Sequence, residues 1–207
     1  CCPELVKAAI ECSDLPVCVS SVEPERFLEA IEAGATIAEI GNFDSFYPQG
    51  RLFSAKEVID LTIQTRKILP DIVLSVTVPH TLTFDKQSEL ALDLIEVGAD
   101  VIQTEGGTSS IPLKPGVLGL IEKAAPTLAS VYSISHSFSE SGCKAPILCA
   151  SGLSDITVPM ALSSGASGVG IGSAVNRLNN ELEMIAMIKT IRRAFVSSES
   201  LLKGAAK

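Results

Sequence analysis

The sequence has no excess of basic residues, no long apolar run and no Cys-x-x-Cys pair, and each lack removes a class of function. Its 16 Lys and Arg stand against 24 Asp and Glu, for a net charge of −8. Gripping nucleic acid or anionic lipid takes a basic face, so no nucleic acid and no membrane partner is expected, though a local basic spot can hold a small anion. Apolar stretches are short and broken by Gly, Ser or charge, far below the roughly 20 residues that span a bilayer. The six cysteines, Cys1, Cys2, Cys12, Cys18, Cys143 and Cys149, show no zinc-knuckle spacing and have no histidine close by. Cys18 and Cys149 sit in apolar strand-like runs and are expected to be buried small hydrophobes, which fits a reducing compartment. No lysine falls inside or directly after a strand signal, so a Schiff base is disfavoured. No group of His, Asp and Glu in the sequence matches a metal site, and no metal is expected. The chain opens with Cys1 rather than Met, which leaves room for an upstream targeting segment.

What is present is a repeat. With 207 residues, 46% of them hydrophobic, the chain has material for the core of a single domain. One kind of strand signal follows a proline: Pro16, Pro70 and Pro146 lead the runs 17–22, 71–78 and 147–152. The other follows a Gly-Ala pair that closes a helix. Gly34, Gly98 and Gly165, spaced by 64 and 67 residues, lead 36–42, 100–107 and 167–173. Glycine suits the left-handed position just past a helix end. Helical periodicity fills 4–12, 85–97, 116–128, 155–163 and 180–195, and a capping box at 54–57 opens another helix. Pro126 and Pro159 predict a break or a start in two of these, and the tail 197–207 reads as irregular.

Strict alternation of strand and helix implies a parallel sheet. The expected fold is α/β, a TIM (β/α)8-type barrel with about six parallel strands present. Residues 1–207 read as one incomplete barrel domain, lacking roughly the first two strands and first helix of the ~250 residues typical of such barrels. The competing arrangement is an open doubly wound sheet. An incomplete barrel leaves two sheet edges unpaired.

Strand alternation sends Cys18, Ser20, Glu39, Ser75, Thr77, Gln103 and Glu105 toward the barrel axis, and Val17, Val19, Leu74, Val76 and Val78 toward the helices. The polar residues gather at strand C-terminal ends, where such barrels carry their active sites. A carboxylate inside a barrel is costly unless bonded or functional. Glu105 is the first candidate for a general acid or base and Glu39 the second, each with a structural hydrogen-bond role as the alternative. His80, at the end of a strand, either shuttles protons or is a loop histidine held by Pro79. His136 reads as solvent-facing.

The last two strands end in Ala150-Ser151-Gly152 and Gly170-Ile171-Gly172-Ser173. Such Gly-Ser ends let backbone N–H groups approach an anion, and Ser151, Gly152, Gly172 and Ser173 are the expected phosphate site; tight turns needed for packing are the alternative. Gly106, Gly107, Thr108 and Ser109 form either a second anion loop or a polar connection. The aromatic segment 43–53 either covers a ligand or plugs one barrel end, and its Arg51 is the nearest cation for an acidic ligand.

The segments EIGNFDSFY at 39–47, LSVTVPHT at 74–81, QTEGGTSS at 103–110 and LCASGL at 148–153 resemble the hypothetical chloroplast reading frame twenty-three family. The resemblance runs over residues 2–182, with added residues near 137–144. It implies an aldolase-type TIM barrel with a longer N-terminus, of unknown function, in a plastid (chloroplast) or in cyanobacterial cytoplasm, and soluble. The reading that follows is an enzyme binding a small phosphorylated metabolite and moving a proton on it, as an isomerase, epimerase or lyase does. The alternatives are an FMN-binding oxidoreductase and a non-catalytic metabolite-binding or regulatory barrel. The sequence leaves the substrate and the oligomeric state open.

Overall fold

The computed structural model describes residues 1–106 and 110–205, with side chains as far as Ser198. Six parallel strands follow one another across a single sheet: β1 (Cys18–Ser21), β2 (Ile37–Ile40), β3 (Val73–Thr77), β4 (Val101–Gln103), β5 (Ile147–Ala150) and β6 (Gly168–Gly170). Their order never reverses, so every crossover winds the same way and the sheet curls into part of a barrel. A doubly wound sheet would change direction at a switch point. The helices are α1 (Pro3–Cys12), α2 (Phe27–Glu32), α3 (Ala55–Ile68), α4 (Phe84–Glu96), α5 (Gly116–Ser141), α6 (Val158–Ser163), α7 (Ser173–Asn176) and α8 (Glu181–Ala205).

The glycine repeat is a repeated helix stop. Gly34, Gly98 and Gly165 take φ of 111°, 109° and 104°. Each donates to the carbonyl three residues back, and the following alanine donates five residues back: Ala35 to Ala30, Ala99 to Leu94 and Ala166 to Ala161, at 3.0, 2.8 and 3.1 Å. This pair of bonds satisfies the last carbonyls of α2, α4 and α6 and aims the chain at the next strand.

Three local expectations need correction. Pro126 does not break its helix, because α5 runs through it to Ser141. A proline cannot donate to the carbonyl four residues back, here that of Glu122, and Ser110 Oγ donates to that oxygen instead at 2.8 Å. Pro159, by contrast, lies in the first turn of α6, where its missing N–H costs nothing. The tail is not irregular, since α8 continues to Ala205 with no proline to stop it. Cys149 is buried as expected, but Cys18 is exposed, because β1 is an edge of the described sheet and nothing covers its inner side.

Outward-facing Ala38, Ile40, Leu74, Val76 and Ile102 are almost completely buried beneath the helices. The inner face is polar, as the alternation predicts. Among the described residues no helix is long and apolar enough to cross a membrane.

One arginine fastens the corner between α3 and β3. Arg66, in the last turn of α3, donates to the carbonyls of Gly98 (3.0 and 2.6 Å), Pro70 (2.9 Å) and Ile72 (2.8 Å). It also pairs with Asp100 at 2.8 Å, and the same Asp100 oxygen accepts the amide of Leu74 at 2.8 Å. Arg66→Ala is therefore expected to cost about 3 kcal/mol by urea denaturation, since several carbonyls lose a charged donor together. Arg66→Lys should restore only part of this, because an ammonium cannot match the guanidinium fork.

Candidate active site

The loops at the strand C-terminal ends surround a cavity of ≈ 580 Å³. Into it project Ser20 of β1, Glu39 of β2, Thr77 of β3 and Gln103 of β4, with Glu105 just beyond β4. Ser151, Gly152, Gly172 and Ser173 line it as well, so the two Gly-Ser strand ends and both candidate carboxylates share one space. β5 and β6 pair Ala150 with Gly170, which sets the two strand ends side by side.

Both loops bend sharply. Ser151 and Gly152 follow β5 with φ of 72° and 75°, the first strained for a residue bearing a side chain. No helix starts directly after this loop; α6 begins only at Val158. After β6, Gly172 caps the single turn α7, so the Ser173 amide is one that the turn leaves without an internal acceptor. A Cβ built on Gly172 would meet nothing within 4 Å. Its openness toward the cavity, not backbone need, distinguishes this glycine.

Glu39 is held from the next two strands. Its Oε1 accepts Thr77 Oγ1 at 3.1 Å and also Gln103 Nε2, which donates to Thr77 Oγ1 at 3.2 Å. Gly41 makes room for this, since a Cβ there would run into Thr77 Oγ1 and come within 2.7 Å of Glu39 Oε1. Asn42 follows in a left-handed conformation, φ 60°, and turns the chain into the one-turn helix that carries Asp44 to the cavity wall.

Glu105, only 4% exposed, is held differently. Its Oε2 accepts Tyr47 Oη at 2.6 Å and the His80 backbone amide at 3.2 Å, and lies 2.9 Å from His80 Nδ1. Burial alone would raise the carboxyl's pKa, but the donors from His80 and Tyr47, with Asp44 adjacent, more than reverse it and hold Glu105 below its ordinary 4.5. The bond to Glu105 outweighs burial at His80 and lifts it above 6.5. Burial, then the bond to Glu105, keeps the Tyr47 hydroxyl far above its usual range, so it remains a donor. The result is an ionised carboxylate on the cavity wall, buttressed from behind by a histidine that does not itself line the cavity.

Asp44, His80 and Glu105 present ligand-type atoms within 4.8 Å of one another, a grouping that sequence spacing concealed and that corrects the expectation of no metal-type cluster. The 2.9 Å His80–Glu105 contact is a hydrogen bond with a proton between the atoms. A cation bound among these atoms would take the place of that proton, so the same three residues can serve as a charge pair or as ligands.

Arg51 is not the nearest cation to the cavity. It pairs with Glu57 at 3.1 Å and lies over Phe53, 4.5 Å from the ring centre. Phe43 and Phe53 stack at 4.3 Å and are buried in the hydrophobic core, and no ring of the aromatic segment lines the cavity. The cavity's cations are Lys123 of α5 and Arg177, just past α7. The placement of Arg177 one turn beyond Ser173 was the signal available in the sequence. Gly106 packs against α5, where a Cβ would come 2.9 Å from the Thr127 amide nitrogen. Gly107, Thr108 and Ser109 lie outside the described residues. His136 is solvent-facing, at 61% exposure.

A curled parallel sheet with its polar cavity at the strand C-terminal ends defines an aldolase-type (β/α) barrel. Solved structures of that type resemble it. One is QR15, an aldolase, at 20% identity and TM-score 0.58 over 81% of this chain and 73% of the other. Another is 3-hexulose-6-phosphate synthase, at 14% identity and TM-score 0.59 over 93% of this chain and 80% of the other. The chain belongs to the family described as Protein of unknown function (DUF561), whose pattern matches residues 1–201. It is 40% identical over 198 residues to Uncharacterized protein ycf23 of Porphyra purpurea, covering 96% of this chain and 73% of that protein. It is 43% identical over 190 residues to the ycf23 protein of Cyanophora paradoxa, covering 91% and 76%.

The His80–Glu105 pair gives stability a pH window. His80 is raised above 6.5, so its contribution is complete below that pH and lost as pH rises through the elevated value. Glu105 is lowered from 4.5, so its contribution is complete above that pH and lost as pH falls through the depressed value. Urea midpoints across pH should show a plateau between these limits. His80→Gln should remove the alkaline decline, and a wild-type curve without that decline contradicts the pairing.

Proposed function

We propose that this barrel binds a small phosphorylated molecule and moves a proton on it. The observation that carries the reading is the shared cavity: the Gly-Ser ends of β5 and β6, two cations and an ionised carboxylate all line it. Ser151, Gly152, Gly172 and Ser173 supply small side chains and approachable amides, and Arg177 supplies a guanidinium fork suited to phosphate. On a chain of net charge −8 an anion will settle only where these cations face it. Glu105 takes a proton from a ligand carbon and returns it at another position or to the departing fragment, with Tyr47 and His80 keeping the carboxylate charged between turnovers. Glu39 is the second carboxylate on the ligand.

3-Hexulose-6-phosphate synthase, similar in fold, bears a phosphorylated sugar in its name, which supports the ligand class. The lining residues include no aromatic ring, so a flavin would find no stacking partner among the described residues. The resemblance to ycf23 proteins supports a plastid location.

Native mass spectrometry of the full-length protein, read for a co-purified phosphorylated ligand, tests the binding half. Gly172→Asp should fold normally, because its side chain enters open space, yet lose the ligand to charge repulsion. Retention of the ligand by Gly172→Asp contradicts the phosphate site. Glu105→Gln should retain the ligand and lower turnover by at least about 100-fold. Unchanged turnover would favour the non-catalytic barrel.

A further inference from the structure

The cavity floor carries more hydrogen-bonding capacity than the protein uses. Ser20, Glu39 and Ser75 are neighbours across β1, β2 and β3, with Ser20 paired to Glu39 and Glu39 to Ser75 in register, all on the inner face. Two residues further along β3, Thr77 pairs with Gln103 of β4. Every bond that Glu39 receives lands on Oε1, leaving its second carboxylate oxygen without a partner among the described residues. Gln103 spends its amide hydrogens on Glu39 and Thr77, and its carbonyl oxygen accepts none from the described residues. Ser20 Oγ, in the cavity lining, and Ser75 Oγ, outside that lining in a residue only 5% exposed, are buried with no partner among the described residues.

Buried polar atoms without partners are rare, because each one forfeits its hydration. The floor thus offers two unused acceptors and the Ser20 hydroxyl within one small region. A phosphate or carboxylate there would be repelled by Glu39. An apolar group would leave all three atoms unsatisfied. An alcohol both donates to the carboxylate and accepts from serine, so a ligand hydroxyl can take the place of water in both roles.

We propose that this floor reads hydroxyl groups, so that the occupant is a phosphorylated polyhydroxy compound. Its phosphate lies at the β5 and β6 loops and its hydroxyl-bearing carbons reach Ser20, Glu39 and Gln103. The proposal rests on the phosphate reading above and deepens it.

Calorimetric titration of the full-length protein with matched probes tests it. The polyol series is glycerol 3-phosphate, erythritol 4-phosphate and ribitol 5-phosphate. The controls are propyl, butyl and pentyl phosphate, together with unphosphorylated ribitol and 5-aminopentyl phosphate. At least one polyol phosphate should bind about tenfold or more tightly than its alkyl counterpart. Ser20→Ala should shrink that ratio while leaving alkyl phosphate affinity unchanged, and Ser75→Ala, outside the cavity lining, should leave the ratio as it is. Equal affinity for every matched pair overturns the hydroxyl floor and leaves the phosphate reading standing, provided the alkyl phosphates bind. Tightest binding by 5-aminopentyl phosphate also overturns the floor, which would then be an ammonium site. Ribitol binding as tightly as ribitol 5-phosphate supports the floor and overturns the phosphate reading. No binding by any probe overturns both.

Discussion

Two carboxylates stand inside this barrel, and the arrangement is tolerable only because neutral or oppositely charged donors surround each. A bare buried carboxylate would take up a proton or destabilise the fold. Glu39 draws its donors from β3 and β4, so it ties adjacent staves together. Glu105 draws its donors from the loops after β2 and β3, so it ties the rim together. Gly41, Thr77 and Gln103 are all fitted to this demand.

The same constraint separates the carboxylates in kind. Glu105 has a histidine behind it and a phenol beside it, and its charge is secured at the cavity wall. Glu39 has an amide and a hydroxyl on one oxygen only. One is fitted to carry charge steadily on the cavity wall, and the other to exchange hydrogen bonds with whatever enters. Opposite them, Arg177 and the glycine loops give the cavity a polarity along which an anionic molecule with a neutral tail would orient in one direction.

Much of this was legible from local patterning. The Gly-Ala pairs at 34, 98 and 165 encode the helix stops directly, because the left-handed corner needs glycine. Period-two alternation assigned Ser20, Glu39, Ser75, Thr77, Gln103 and Glu105 to the inner face, since parallel strands hold that parity along their length. What escaped were contacts fixed by distant chain segments. Tyr47 meets Glu105 across 58 residues, and nothing in the aromatic segment distinguished it from its core neighbours. Arg51 looked available because its ion pair with Glu57 depends on how the loop folds over α3. Pro126 looked disruptive because its compensation, the Ser110 hydroxyl, comes from a loop rather than from the helix. Cys18 looked buried because its run is apolar, whereas its exposure follows from strand order.

The hydroxyl of Tyr47 and the ring of His80 reach the same oxygen from different loops, and the rings meet edge to face with centres 5.0 Å apart. Glu105 therefore works as a clasp as well as a charge. Prising the aromatic loop outward would withdraw its phenolic donor and raise the proton affinity of Glu105, so mechanical displacement at the rim and acidity at the wall are one coupled quantity. A molecule that wedges the loop aside would alter the barrel's chemistry without touching its carboxylates.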